Sequence, residues 1–150
     1  MDFYEISIAK IGKESYYISG MKNAKTIRVD ASKHVDMQNS QTALGERKIN
    51  NQTYIALDKN SDHVLKLSGK KPTNQPYLIS ANGTVSEYIH GKYTTRYTID
   101  AYVDVKATLH LPKECTCKTT PMYTKKVDNN RSTTLYFHTK KVTIDVFCKR

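Results

Sequence analysis

Between Tyr97 and Leu111 the chain reads YTIDAYVDVKATLHL, and every odd-numbered residue of this stretch is apolar or aromatic. The even-numbered residues are polar or charged, apart from the amphipathic Tyr102. Successive side chains of a β-strand point to opposite faces, so this alternation predicts a strand with one face on a core and the other in solvent. An amphipathic helix would have a period of about 3.6 residues instead. We therefore expect the odd-numbered side chains to face the core.

The length of this segment predicts a second feature. The alternation begins near Tyr93, and the nineteen residues from there to Leu111 would extend over about 60 Å at roughly 3.3 Å per residue. A compact domain of this chain length has a diameter of about 40 Å. The strand must therefore bend from one sheet into another, break at a bulge, or project as an arm.

Shorter alternating segments fill most of the remaining chain. The predicted strands are Tyr4–Ile8, Ser15–Ile18, Thr26–Val29, Thr53–Leu57, His63–Leu67, Tyr77–Ser80, Val85–Ile89, Met122–Val127, Thr133–Phe137 and Val142–Cys148. We expect three hairpins: Thr53–Leu57 with His63–Leu67, the strands flanking Asn82-Gly83 through a type I′ turn, and the strands flanking residues 128–131.

Three segments lie outside this strand pattern. Residues 30–45 predict a short helix or a long loop, residues 68–76 a basic loop, and residues 138–141 a bulge or tight turn. The prediction is an all-β protein: an antiparallel sandwich or barrel with one over-long bent strand, at most one short helix, and a single domain over residues 1–150.

The three cysteines do not predict a metal site. Cys115 and Cys117 are separated by one residue, whereas zinc ligands are usually separated by two to four, and Cys148 lies far away. An odd number of cysteines does not suit a closed disulfide framework. We expect free thiols in a reducing cytosol, with Cys148 buried on the last strand, and no metal or cofactor.

No catalytic motif is recognisable in the sequence. Asp100 and Asp104 share a strand face but lie about 13 Å apart, which is too far for a glycosidase carboxylate pair. Neither a nucleophile elbow nor a phosphate-binding glycine loop occurs. We predict that the protein is not an enzyme and has no catalytic residue. Substitution of Asp100, Asp104, His110 or His138 should then affect stability alone.

The net charge of +10 is the main indication of function. Residues 113–150 contain nine basic and three acidic residues. Such charge favours nucleic acid, an acidic protein or another polyanion as partner, and interleaved tyrosines are typical of single-strand binders. The candidate nucleic-acid-binding residues are Lys70, Lys71, Lys92, Arg96, Lys125, Lys126, Arg131, Lys140 and Lys141.

Two functions therefore remain as hypotheses. The first is a non-enzymatic basic β-domain that binds nucleic acid or another polyanion without strong sequence specificity. The second is a structural or assembly subunit of a virion or another multi-subunit complex, forming a homo-oligomer or a larger assembly. Lys and Asn are abundant, as in the AT-rich genomes of many viruses and some bacteria, and this bias and the over-long strand favour the second. No signal peptide or membrane segment is visible, so we expect an intracellular, cytoplasmic or virion-associated protein without membrane contact.

Overall fold

The computed structural model describes residues 7–19, 26–40, 42–58, 60, 62–71, 74–91, 93–130 and 132–149. These residues form fifteen β-strands and no helix, and every strand pairing is antiparallel. The all-β antiparallel prediction is confirmed. The described part of residues 30–45 forms turns, one short strand and the ends of two other strands, and it contains no helix.

The chain divides into two compact units, Met1–Pro72 and Thr73–Arg150. The boundary falls within residues 68–76, for which the sequence predicts a loop. The prediction of a single domain stays a prediction. The strands of the N-terminal unit are β1 (Ser7–Gly12), β2 (Ser15–Ser19), β3 (Thr26–Asp30), β4 (His34–Val35), β5 (Ala43–Ile49), β6 (Gln52–Leu57) and β7 (His63–Ser68). The part of the first predicted strand that contains Tyr4 and Ile6 lies outside the described residues.

The described residues of the N-terminal unit form two sheets, in the orders β1-β2-β7-β4 and β3-β6-β5. The predicted hairpin of β6 with β7 is wrong, because these strands belong to different sheets. The tight turn lies instead between β5 and β6, where Ile49 pairs with Gln52 and both Asn50 and Asn51 have positive φ. Asparagine tolerates the left-handed conformation that a type I′ turn requires at both central positions.

The C-terminal unit contains two four-stranded sheets. Its strands are β8 (Tyr77–Ala81), β9 (Thr84–His90), β10 (Thr94–Asp100), β11 (Lys106–His110), β12 (Cys115–Thr120), β13 (Lys125–Asn129), β14 (Ser132–Tyr136) and β15 (Lys141–Cys148). The first sheet has the order β12-β15-β10-β9, and the second has the order β13-β14-β11-β8. The predicted hairpin across residues 128–131 is confirmed as β13 with β14.

The chain passes between the two sheets of this unit at five connections, and three of these connections are joined to one another by hydrogen bonds. These three are residues 82–83 between β8 and β9, 101–105 between β10 and β11, and 137–140 between β14 and β15. We call them together the sheet corner. The Ala101 amide donates to the Lys140 carbonyl at 2.7 Å, and the Val105 amide donates to the Thr139 carbonyl at 2.8 Å. The backbone of the corner is therefore held by its own hydrogen bonds.

The corner explains why Asn82-Gly83 does not form the predicted hairpin. The Asn82 side-chain amide donates to the Asp104 carbonyl, and its oxygen accepts from the Lys106 amide, both at 2.9 Å. A Cβ atom on Gly83 would lie 2.4 Å from the carbonyl oxygen of Asp100. Glycine is required here because another strand passes close by, rather than because a type I′ turn needs positive φ.

The over-long strand bends from one sheet into the other, which is the first of the three alternatives that its length allows. Tyr97, Ile99, Val105, Ala107 and Leu109 are buried as the alternation predicts. Val103 is 60 % exposed because it lies in the bend, so the prediction of an inward-facing side chain is wrong there. The phase change near His138 has the same cause, since β14 and β15 belong to different sheets.

Both sheets contribute to the core of the C-terminal unit. The buried Tyr97 on β10 forms a hydrogen bond with the backbone of Leu78 on β8, and it stacks on Tyr88 at a centroid distance of 5.2 Å. Burial raises the pKa of Tyr97 well above its ordinary value. Apolar residues of the strands on either side of the corner complete this core: Leu109, Leu135, Val142, Ile144 and Val146.

Candidate nucleic-acid interface

The outer face of the second sheet carries a tyrosine between two lysines. Tyr136 on β14 pairs with Lys106 of β11 on one side and with Lys125 of β13 on the other. The Nζ atoms of Lys106 and Lys125 lie 5.3 and 5.5 Å from the centroid of the Tyr136 ring. Both distances are within the range of a cation–π interaction. The three side chains form a continuous row across three neighbouring strands, which we call the lysine–tyrosine face.

Strand alternation places these residues on the solvent side. Their neighbours in chain, Ala107 and Leu135, are buried, so Lys106 and Tyr136 point away from the core. The next row contains Thr108 and Thr134, whose hydroxyls are 3.0 Å apart, and the 40 % exposed Val127. The side chains of this second row are shorter than those of Lys106, Lys125 and Tyr136, so they do not cover the lysine–tyrosine face.

The outer faces of the two sheets differ in charge. On the second sheet, the outer face is the face that carries Thr108. The described residues of β11, β13 and β14 on that face include Lys106 and Lys125 and no carboxylate. The outer face of the first sheet balances three cations with three carboxylates: Arg96, Lys118, Lys141, Glu87, Asp100 and Asp145. Of these two faces, the second sheet's is therefore the one suited to an anion.

Ion pairs further reduce the availability of the cations on the first sheet. The Arg96 guanidinium donates to Asp145 at 2.7 and 3.3 Å. The hydrogen bonds and the charge of Asp145 raise the pKa of Arg96. Lys141 lies 4.0 Å from a carboxylate oxygen of Asp100. A phosphate would have to compete with these carboxylates for both cations.

The structure does not gather the predicted binding residues into one site. Lys70 and Lys71 belong to the N-terminal unit. Lys126 points to the opposite side of β13 from Lys125 and lies 3.9 Å from Asp128. Lys140 is exposed in the sheet corner, and Lys92 and Arg131 lie outside the described residues. Of the nine predicted residues, Lys125 alone is placed on the lysine–tyrosine face by the described structure.

Lys106 and Tyr136 were not among the predicted residues. Lys106 is the isolated lysine of the long alternating strand, so a search for basic clusters overlooks it. The sequence does contain a signal, because Lys106 and Tyr136 both occupy polar-phase positions of strands whose alternate residues are apolar. Only the pairing of β11 with β14 brings the two side chains together.

The cysteine prediction is wrong for two of the three residues. Cys115 and Cys148 are directly opposite each other on β12 and β15, with Cα atoms 4.0 Å apart, and form a disulfide. Cys117 is the remaining free cysteine, and burial raises the pKa of its thiol. Disulfides are rare in the cytosol, so this bond weakens the basis for a cytoplasmic location, which stays a prediction.

The side chains considered for catalysis have structural contacts. Asp104 lies 3.3 Å from the ring of His138 at the sheet corner, and the buried His110 stacks on Tyr77. In the described ranges, no group of three or more His, Cys, Asp or Glu is arranged to hold a metal ion. The same ranges contain no helix of the length and apolarity that crossing a membrane requires. The absence of catalysis and of a metal stays a prediction.

Comparisons with protein-family models, with curated protein sequences and with solved structures found no match to this chain.

Proposed function

We propose that the protein is a non-enzymatic β-domain that binds single-stranded nucleic acid through the lysine–tyrosine face, without strong sequence specificity. The observation that carries this proposal is the Tyr136 ring held between the Nζ atoms of Lys106 and Lys125. Single-strand binders combine cations that follow the phosphates with aromatic rings on which bases stack. The lysine–tyrosine face supplies both groups within one row of side chains.

The mode of binding follows from the chemistry of this row. A base that stacks on Tyr136 takes the place of a lysine ammonium group over the ring, and the two ammonium groups then neutralise phosphates on either side. Every base has a π-face, and lysine binds phosphate as a point charge, so neither contact distinguishes one sequence from another. We infer that the corner-linked sheets form a sandwich or barrel, which would hold the row on rigid strands.

Duplex nucleic acid fits this face less well. The bases of a duplex are stacked on one another, so their faces are not accessible to the Tyr136 ring. Only the phosphates of a duplex could contact this face. We therefore expect tighter binding to a single-stranded oligonucleotide than to the same sequence in a duplex.

A salt titration of oligothymidylate binding tests the proposal. The logarithm of the binding constant falls with the logarithm of salt concentration, with a slope of about −0.7 per neutralised phosphate on single strands. Lys106→Ala and Lys125→Ala should each flatten the slope by about 0.7, and the double variant by about 1.4. Tyr136→Ala should weaken binding about 5- to 150-fold at constant slope, because stacking releases no counterions.

Lys118→Ala is the matched control. Lys118 is exposed on the outer face of the first sheet, and its loss changes the net charge by the same amount. It should leave both the affinity and the slope close to those of the wild-type protein. If Lys118→Ala flattens the salt slope as much as Lys125→Ala does, the lysine–tyrosine face is not the binding site. If no oligonucleotide binds at about 50 mM salt, the assembly subunit becomes the better hypothesis.

A further inference from the structure

The sheet corner presents an unusually exposed aromatic side chain. Tyr102 is 98 % exposed, and the adjacent Val103 is 60 % exposed. Single exposed apolar residues are common on protein surfaces, but here two consecutive ones form the tip of a connection. Neither side chain contributes to the core of the C-terminal unit, so stability of the fold does not account for them.

The backbone beneath Tyr102 is fixed. Ala101 and Val105, on either side of the tip, donate to the Lys140 and Thr139 carbonyls. The Asp104 carbonyl accepts from the side chain of Asn82. Tyr102 is thus displayed on a preorganised connection, so a partner would have little backbone disorder to remove on binding. This arrangement is typical of a contact residue rather than of a disordered loop tip.

The corner is continuous with the lysine–tyrosine face. Lys106 directly follows Val105, and Tyr136 directly precedes Phe137, so both residues begin or end a strand at the corner. Lys106 is four positions after Tyr102 in the chain, which limits the distance between their Cα atoms to about 14 Å. The distance is short enough for one flexible strand of nucleic acid to contact both residues.

The charges around the tip favour the same ligand. Lys140 is exposed in the corner, and the carboxylate of Asp104 lies 3.3 Å from the His138 ring. Lys141 offsets Asp100 at 4.0 Å. The three lysines Lys106, Lys140 and Lys141 outnumber the two carboxylates of Asp100 and Asp104 around the tip, and Lys106 and Lys140 remain to contact phosphates.

We propose that Tyr102 is a second stacking platform, so that the bound single strand runs from the lysine–tyrosine face over the sheet corner. This inference rests on the proposed function and extends it to a named second contact. Tyr102 and Tyr136 would then each stack one base, and Lys106 would lie between them along the path of the phosphates.

Fluorescence anisotropy with a labelled oligothymidylate tests the inference. Tyr102→Ala should raise Kd about 5- to 150-fold and leave the salt slope unchanged. Tyr102→Phe should bind like the wild-type protein, because it retains the aromatic ring. Tyr102→Leu should bind as weakly as Tyr102→Ala, because it retains apolar area but no ring. Tyr93→Ala is the matched control, since Tyr93 is 43 % exposed and lies at the other end of β10.

The outcomes separate the two proposals. If Tyr102→Ala binds like the wild-type protein while the Lys106 and Lys125 variants still flatten the slope, the second platform is refuted and the proposed function stands. If none of these variants changes binding, the proposed function itself is refuted. Full binding by Tyr102→Leu would also overturn the stacking role. Equal thermal midpoints for all Tyr102 variants would show that the affinity changes are not caused by unfolding.

Discussion

Removal of the Cys115–Cys148 disulfide should destabilise the C-terminal unit more than any conservative surface substitution. The bond joins cysteines separated by 33 residues in sequence. In the chain-entropy description, a crosslink across a loop of this size stabilises the folded state by about 3.7 kcal/mol, because it restricts the unfolded chain. We therefore expect the double variant Cys115→Ser/Cys148→Ser to lose about that free energy of unfolding.

The loss should be large on the temperature scale. For a unit of this size, 1 kcal/mol corresponds to about 4–8 °C in Tm, so the midpoint should fall by roughly 15–30 °C. Thermal and urea unfolding followed by far-UV circular dichroism would measure the change. Reduction of the wild-type protein with dithiothreitol should reproduce most of it, and mass spectrometry of the alkylated protein would verify the redox state of each sample.

Cys117→Ser is the control for this experiment. It removes a cysteine of the same strand that forms no disulfide, so it should change the midpoint by a small fraction of the double variant's effect. An unchanged midpoint in the double variant would refute the reasoning. Three alkylated thiols in the unreduced wild-type protein would refute the disulfide itself.

Three further predictions concern residues outside the binding face. Burial lowers the pKa of His90 below the ordinary value of about 6.5 for histidine, so the unfolded chain takes up a proton at higher pH than the folded chain does. The free energy of unfolding should therefore fall as pH drops below about 6.5, and it should fall less in His90→Gln, as denaturant titrations at several pH values would measure. Because burial raises the pKa of Cys117, its thiol should react with iodoacetamide more slowly in the folded than in the urea-unfolded protein at equal pH, and equal rates would refute this. Gly83→Ala should lower the free energy of unfolding by about 1–3 kcal/mol, because the new Cβ would lie 2.4 Å from the carbonyl oxygen of Asp100. Gly69→Ala is the control and should have little effect, because no atom lies within 4 Å of its new Cβ.

Local alternation determined the fold class. Side chains that alternate along YTIDAYVDVKATLHL can bury their apolar members only on one face of a strand, so antiparallel sheets follow from the sequence alone. The length of this segment likewise required a bend, a break or an arm. The β13–β14 hairpin could be predicted because its two strands are close in sequence and separated by a polar turn.

Strand partners were not determined locally. Asn82-Gly83 has the composition of a hairpin turn, yet β8 and β9 pair with different halves of the bent strand. The close approach of Asp100 to Gly83 gives this dipeptide a different role. Turn composition reports on local backbone preference, whereas membership of a sheet depends on which strands share a core.

The candidate site and the disulfide depended on tertiary structure for the same reason. The charge of the chain predicted an anionic partner, but charge along a sequence does not tell which cations share a face. Lys106 and Tyr136 are thirty residues apart in sequence and become neighbours only through the pairing of β11 with β14. Cys115 and Cys148 become opposite neighbours through the register of β12 with β15. A side chain's phase within a strand is a local property that the sequence determines, whereas the register between distant strands is set by packing of the whole unit.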